Sequence, residues 1–551
     1  MKAGIRAGAG QRFGVWIMTM KVLILNLTRF GDLIQTQPVV SGFVFGGCKV
    51  GLLCLENFAS VGQLLRGVDW VGAFPGARLL AALERDWRGA VRDFADVRRE
   101  VAASFGPDLI VNLTPSLPAR LLAWALSQDN ASAGVRGFSM DEHGFNADTS
   151  SWSAFLQLAS GNRGASPFNV VDLFRRAAGL RGEDASPDLQ LPGQTPDEEG
   201  GPVAEAETLL SEALPEGAEL SGWLGIQLGA SEERRRWPVA RFVEAARLFS
   251  AREGLTPVLL GTRSEMPLGE RFVAEYGGPV VNLMGRTSLP QLAAVLTRLD
   301  LLLTNDTGTM HLAAGLGTPV AAIFLATAQP FDTGPYREGS LCFEPDLECH
   351  PCAFGTKCPH EHKCRAAVDA GAVHASVAEA LFKEPSGTGH NRSGVRVWRT
   401  VRGADGLMDL ESLSGHGDQD RTRWIALQRR YYRRLFDGES LQEGQGTEEA
   451  HGLSPARAER LRKVLGDAGD LVFLLERQAE VLATQPMQAM KNKFLATWQR
   501  LQGALRADPD LEVLGLLWEF ESQAQGDRLD RIVALAGRYR ALMEGLLRAL
   551  Q

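Results

Sequence analysis

The sequence predicts an α/β protein made of two doubly wound halves, followed by an all-α tail. Short apolar, β-rich runs alternate with amphipathic stretches in residues 20–180, and the alternation restarts in residues 203–384. A polar Gly- and Pro-rich tract, "LRGEDASPDLQLPGQTPDEEGGP", separates the two series. Beyond residue 420 the apolar residues recur at helical spacing instead, with charges on the opposite face.

Residues 1–19 read as a disordered extension ahead of Met20, a candidate start, and carry no signal-peptide cleavage pattern. In the first half, 20–180, the strands are "KVLILNL" (21–27), "KVGLLCL" (49–55) and "PDLIVNL" (107–113), with "SLPARLLAWALSQ" as a helix. Residues 181–202 form the linker. In the second half, 203–384, the strands are "GWLGIQLGA" (222–230), "LTPVLLGT" (255–262), "PVVNLMG" (279–285), "DLLLTND" (300–306) and "TPVAAIFL" (318–325). Pro238 is expected as the first residue of the helix "PVARFVEAARLFSARE". A stretch rich in Gly, Ser, Asp and His, 385–420, reads as a flexible linker to a helical domain at 421–551. Within that domain Asp508–Pro509–Asp510 reads as a turn and helix start.

Composition narrows the function. The chain has 551 residues, a net charge of −8 and a pI near 5.7, which argues against a general nucleic-acid binder with its broad basic footprint. Any anionic ligand must be met locally. No apolar run approaches the ~20 residues that span a bilayer, and seven cysteines in so long a chain do not form a disulfide scaffold, so a cytoplasmic setting is expected.

Ligand-binding features fall where strands end. No Gly-x-Gly-x-x-Gly follows the first strand and no P-loop is present, which disfavours dinucleotide enzymes and P-loop NTPases. Instead "NLTRFGDLIQTQP" (26–38) follows the first strand, with Gly31 and Asp32 at the expected helix start. In the second half stand "GASEERRRWP" (229–238) and "TNDTGTMHLAAGLGTP" (304–319). In the latter Asp306 ends a strand, Thr307 and Gly308 turn, and the helix start that follows favours a diphosphate. Ser231 and an arginine from 234–236 supply a hydroxyl donor and a charged fork to the same phosphates.

These blocks, with "LMGRTSLPQLAAVLTRLD" and "CHPCAFGTKCP" in the same order, resemble glycosyltransferase family 9, the ADP-heptose:lipopolysaccharide heptosyltransferases, over residues 20–384. The resemblance implies a GT-B fold, two Rossmann-like domains facing a cleft, with an N-terminal acceptor domain and a C-terminal nucleotide-sugar domain. It implies inverting transfer from ADP-heptose or another nucleotide sugar to a lipid-linked or lipopolysaccharide-core glycan, with no cofactor required for catalysis. Asp32 matches the catalytic base. Ser231, Arg235, Asp306, Thr307, Gly308 and His311 match the donor site, and Glu265 is a further candidate for the donor ribose or base. Gly31 is expected to let the backbone turn so that Asp32 faces the cleft. For Asp32 taken alone the other reading is a helix cap, and Arg234 and Arg236 read as a solvated charge run.

Six residues before the base many family members have Arg or Lys. Here Asn26 stands there, and Arg29 is the nearby cation for an anionic acceptor. Cys349, Cys352, Cys358 and Cys364, interspersed with His350, His360 and His362, are a candidate set for a structural zinc. Reduced thiols or an occasional disulfide in a loop are the other reading. Two further function classes stay open: a nucleotide-sugar epimerase or hydrolase of the same fold, and a non-catalytic nucleotide-sugar binder using the tail for self-association or protein contact. A lipid-linked acceptor without a spanning helix implies peripheral contact at the inner face of the inner membrane.

Overall fold

The structure, a computed structural model, describes residues 19–130, 132–161, 166–192, 201–212, 214, 221–382, 394–441, 453–526 and 528–551. The expected N-terminal extension, residues 1–18, and part of the linker, 193–200, lie outside these.

Two sheets form the body. The first contains β1 (Lys21–Asn26), β2 (Lys49–Leu55), β3 (Trp70–Phe74), β4 (Leu109–Asn112) and β5 (Gly134–Gly137), in the parallel order β3-β2-β1-β4-β5. The second contains β6 (Gly222–Gln227), β7 (Leu255–Leu260), β8 (Val281–Asn282), β9 (Leu301–Asn305), β10 (Val320–Ile323), β11 (Leu341–Pro345), β12 (Val395–Arg402) and β13 (Met408–Ser412), in the order β13-β12-β11-β10-β9-β6-β7-β8. Central strands are covered on both faces, which is why they read as unbroken apolar runs: Val22, Leu23, Ile24 and Leu25 are all fully buried.

The helices that reach the cleft are α1 (Phe30–Ile34), α2 (Ser151–Gly161), α3 (Val170–Ala177) and α4 (Gly308–Leu316). The tail contains α5 (Asp420–Asp437), α6 (Pro455–Thr484), α7 (Gln488–Arg506), α8 (Glu512–Gln523) and α9 (Leu529–Ala549), a helical bundle as expected. Asp508 and Asp510 lie in the turn between α7 and α8, where they pair with Arg457 and Arg460 of α6.

Three expectations need correction. The stretch 385–420, read as a flexible linker, contains β12 and β13, which extend the second sheet antiparallel to β11. Its Gly and Asp residues mark turns around a hairpin. Pro238 is the N-cap of the helix Val239–Glu253 rather than its first residue. Strands β3 and β5 went unread because alternating exposure, or glycine at both ends, dilutes their apolar signal.

In each sheet the chain starts in the middle, builds one side, then crosses to the other, so ligands are expected at the strand ends where the order reverses. In the first sheet this point lies between β1 and β4, and in the second between β6 and β9. The halves are held together directly. The Leu189 amide donates to the Gly315 carbonyl at 2.9 Å, and the next linker residue, Gln190, donates to Leu64 at 2.9 Å. Buried Asp172 of α3 accepts from the Tyr336 hydroxyl at 2.7 Å and the Met408 amide at 2.8 Å.

The tail is tied to the second sheet through fully buried Glu344, which accepts from Arg421, from Trp398 Nε1 at 3.2 Å and from His350 Nε2 at 3.1 Å. Burial alone would raise its carboxyl, but the Arg421 charge and the His350 hydrogen bond outweigh this and hold it well below the usual carboxylate range. Glu344→Gln leaves Arg421 and Arg396 without their buried counter-charge and is expected to cost about 3–5 kcal/mol near neutral pH. Because the carboxyl is depressed, its contribution is complete above the ordinary value of 4.5 and fades as the pH falls below it. Melting temperatures from pH 7 to pH 3 check this: the gap between wild type and variant narrows on the acid side.

Candidate functional site

Asp32 sits at the third position of α1, directly after β1. The loop carrying it is anchored by Asn26, fully buried at the end of β1, whose amide donates to Thr36 Oγ1 at 2.9 Å and whose Oδ1 accepts from the Thr28 amide at 3.3 Å. Asn26 therefore braces the loop that carries Asp32, at the position where many members of the resembled family have a cation. The Asp32 carboxylate accepts a long, 3.4 Å bond from the Arg29 amide, so it has a capping role as well as a place on the cleft. Arg29 is exposed at the rim of the same cleft.

The expected reason for Gly31 is wrong. Gly31 is not in the left-handed region but within α1. A Cβ there would lie 3.3 Å from Gly308 Cα and 3.3 Å from His311 Cδ2. Conversely, a Cβ on Gly308 would meet the Phe30 ring at 2.3 Å. The helix starts of the two halves thus touch backbone to backbone, and glycine is needed for close approach.

Around this contact lies a cavity of about 420 Å³ that brings together Arg29, Asp32, Ser231, Arg235, Glu265, Asp306, Thr307, Gly308 and His311. These come from strand ends on both halves. Asp306 follows β9 and Gly308 is already the first residue of α4, so the two-residue turn, Asp306 and Thr307, falls one residue earlier than expected. Thr307 caps α4 by accepting from the Met310 amide, which leaves the helix start facing the cavity.

Of the three consecutive arginines only Arg235 faces the cavity, donating to Ser231 Oγ at 3.2 Å and to the Asp306 carboxylate. Arg234 pairs with Glu232 and the Thr356 carbonyl, and Arg236 donates to the Ala230 carbonyl. Buried Asn305 fixes this loop, donating to the Leu228 and Gly229 carbonyls at 3.0 and 3.1 Å and accepting from the Trp237 amide at 2.8 Å.

Glu265 lines the cavity while capping its own turn, accepting from the Thr262 amide at 2.8 Å and hydroxyl at 3.0 Å. Its carboxylate occupies the space a side chain at Gly229 would need. Gln227, Thr262, Thr309 and Thr333 also line the cavity and were missed. A signal for part of this existed: β1, β4, β6 and β9 each end in a buried amide side chain, Asn26, Asn112, Gln227 and Asn305. A polar amide closing an apolar run marks the ligand edge of the sheet.

A second cavity of about 230 Å³ opens on the other side of Asp32, with Leu113, Pro115, Leu156, Leu173 and Phe174 as apolar walls and Asp332 and Thr333 from the second half. Asp32 lines both cavities.

The four-cysteine zinc set is not assembled. Cys352 donates to the Cys349 carbonyl, Cys358 Sγ accepts from the His362 amide at 3.4 Å, and His350 turns into the core onto Glu344. Burial, with the neighbouring thiols, pushes the Cys352 thiol up. Among the described residues no group of three or more His, Cys, Asp or Glu side chains is arranged to hold a metal.

Residues 171–363, which hold Ser231, Arg235, Glu265 and the 306–311 turn but not Arg29 or Asp32, match Glycosyltransferase family 9 (heptosyltransferase). The chain is similar to lipooligosaccharide heptosyltransferase 2 of Campylobacter jejuni, 32% identical over 146 residues, covering 26% of this chain and 45% of that protein. It is also similar to lipopolysaccharide heptosyltransferase 2 of Salmonella typhimurium, 31% identical over 101 residues, covering 18% of this chain and 29% of that protein. The chain thus spans less than half the length of the curated relatives it matches. Among solved structures, a family 9 glycosyl transferase from Veillonella parvula aligns with a TM-score of 0.49 at 18% identity, over 66% of this chain and 98% of that one. The E. coli ADP-heptose lps heptosyltransferase II aligns with a TM-score of 0.46 at 16% identity, over 66% and 99%.

The arginine geometry makes a testable distinction. Arg235→Ala removes a charged donor from the cavity and is expected to weaken ADP binding about 10- to 100-fold, from ~1.5–3 kcal/mol per charge-assisted bond. Arg234→Ala, outside the cavity, leaves it unchanged. Calorimetric titration of ADP into both variants checks this.

Proposed function

We propose that the chain is an inverting glycosyltransferase that moves a heptose, or a related sugar, from an ADP-sugar to a lipopolysaccharide inner-core or related glycan acceptor, without a catalytic metal. The observation that carries this reading is the position of Asp32, a carboxylate shared by a polar cavity suited to a diphosphate and a more apolar cavity beside it. The heptosyltransferase names of the relatives support the choice of sugar.

In this mechanism the acceptor hydroxyl lies in the second cavity, where apolar walls suit the C–H faces of a sugar ring. Asp32 takes the hydroxyl proton as its oxygen attacks the anomeric carbon, the bond to the β-phosphate oxygen breaks, and ADP leaves from the opposite face. Charge growing on the β-phosphate is met by the start of α4, Arg235 and Ser231. Arg235 would exchange its bond to Asp306 for one to phosphate. Glu265, beside Gln227 and Thr262, is the candidate contact for the nucleoside.

No helix among the described residues is long and apolar enough to cross a membrane. The proposal therefore has the enzyme meet a lipid-linked acceptor peripherally, at the cytoplasmic leaflet.

ADP release from ADP-heptose by wild type and Asp32→Asn, with and without an inner-core acceptor, tests the reading. Acceptor-dependent release that falls about 10²- to 10⁴-fold in the variant, with ADP affinity retained, is the expected result. Release that ignores the acceptor moves the chain to the epimerase or hydrolase class, and binding without turnover makes it a binding protein. Activity that persists in EDTA is expected, and its loss would remove the metal-independent mechanism.

A further inference from the structure

The helical tail packs against the rest of the chain in a particular place. The cavity beside Asp32 has two walls: α2 and α3 on the first half, and the short helix Pro330–Thr333 on the second. Helix α5 touches both.

At its start, Arg421 donates to Gln329 Oε1 at 3.0 Å and lies over the Phe331 ring at 5.5 Å, so it grips the second-half wall from behind. At its end, Phe436 packs edge-on against Trp152 at 5.0 Å and tilted against Phe155 at 5.1 Å, both on α2 one turn before the cavity-lining Leu156 and Ala159. The next residue, Asp437, accepts from Trp152 Nε1 at 2.9 Å and sits 3.6 Å from Arg176 of α3 and 3.4 Å from Arg181. Sixteen residues separate Arg421 from Asp437, a rise of ~24 Å along a helix.

The placement of Asp437 is informative. A carboxylate in the last turn opposes the helix dipole, and the Asp437 side chain is only 1% exposed. Its compensation comes from Trp152 and Arg176 on the first half, from Arg181 at the start of the linker and, within α5, from Arg433 at 3.4 Å. Burial lowers the Arg176 pKa, and Asp437 is the leading charge acting against that shift. The bundle backs the same helix again, because the Ser151 hydroxyl donates to Glu521 of α8, which also accepts from Tyr539 of α9 at 2.8 Å.

We propose that α5 is a strut that sets the spacing of the two walls of the acceptor cavity, making Phe436 and Asp437 positioning residues for acceptor recognition and the tail part of the acceptor site. That the cavity holds the acceptor rests on the function proposed above. The strut itself rests on contacts between α5 and both walls. Neither positioning residue touches the donor cavity, so the tail governs acceptor binding separately from donor binding.

The test uses the full chain with Asp437→Asn and Phe436→Ala, and Leu461→Ala, buried in α6 of the bundle, as a control for loss of tail stability. Acceptor KM is expected to rise about tenfold or more in the first two, as misplacement by a fraction of an ångström allows. ADP affinity and kcat at saturating acceptor stay close to wild type. Amide exchange is expected to quicken in 151–159 and 329–333 while α4 stays protected. An unchanged acceptor KM overturns the proposal, as does an equal rise in Leu461→Ala or a parallel loss of ADP affinity. If wild type transfers to no acceptor, the transferase reading falls and exchange alone decides: unaltered protection of 151–159 and 329–333 in Asp437→Asn then overturns the strut.

Discussion

The contact on which the site depends is the one between Gly31 and Gly308. Two helix starts from separate sheets meet there with no side chain between them, and Phe30 fills the space a Cβ on Gly308 would take. Because each helix follows a central strand at the reversal point of its sheet, this contact also joins the two ligand edges. Asp32, one residue beyond Gly31, is thereby brought to the helix start that suits a diphosphate. A Cβ at Gly308 would have to displace the Phe30 ring, and one at Gly31 would press Gly308 and His311 away by a few tenths of an ångström.

Around that contact the chain spends polar side chains on holding loops. Asn26, Gln227 and Asn305 close their strands and bond backbone or side chains of loops around the cavity, Asn26 the loop after its own strand, Asn305 the loop after β6 and Gln227 the turn after β7. Asp306 pairs with Arg235 at the mouth of the α4 dipole. The pairing keeps the guanidinium extended across the cavity before a ligand arrives, and it means that a phosphate must compete with a carboxylate for it. Preorganisation of this kind lowers the reorganisation needed when charge develops.

The tail follows the same logic at longer range. Its helices bury an apolar interior as any bundle does, but α5 leaves that interior at both ends to bind the walls of the second cavity. Glu344, Arg421 and Gln329 form one anchorage, and Asp437 with Trp152 and Arg176 the other. Buried ionic groups add little net stability compared with apolar packing. Their value here is directional, since only one placement of α5 satisfies both ends.

Much of this was legible in the residues. Runs such as "KVLILNL" and "DLLLTND" announce central parallel strands because both of their faces are covered, and the peptides after them carry the donors and carboxylates of the site. Hairpin β12–β13 was not legible, because its turn-forming residues dominate the composition of a stretch whose strands pair only with the sheet edge. The choice of Arg235 over Arg234 and Arg236 came from the family resemblance, because the residue pattern alone does not show how a single 3₁₀ turn points them.

The sequence by itself determined the two-sheet body, the helical tail and the short peptides that carry the chemistry, since these depend on local periodicity and strand-end composition. Only the tertiary structure decided that Gly31 serves an approach rather than a turn, that Asn26 braces where a cation was expected, that the neighbouring cysteines form no metal-holding set among the described residues, and that the tail reaches the cleft. Each of these depends on which surfaces meet across long separations in the chain, and periodicity within a segment does not specify its partner.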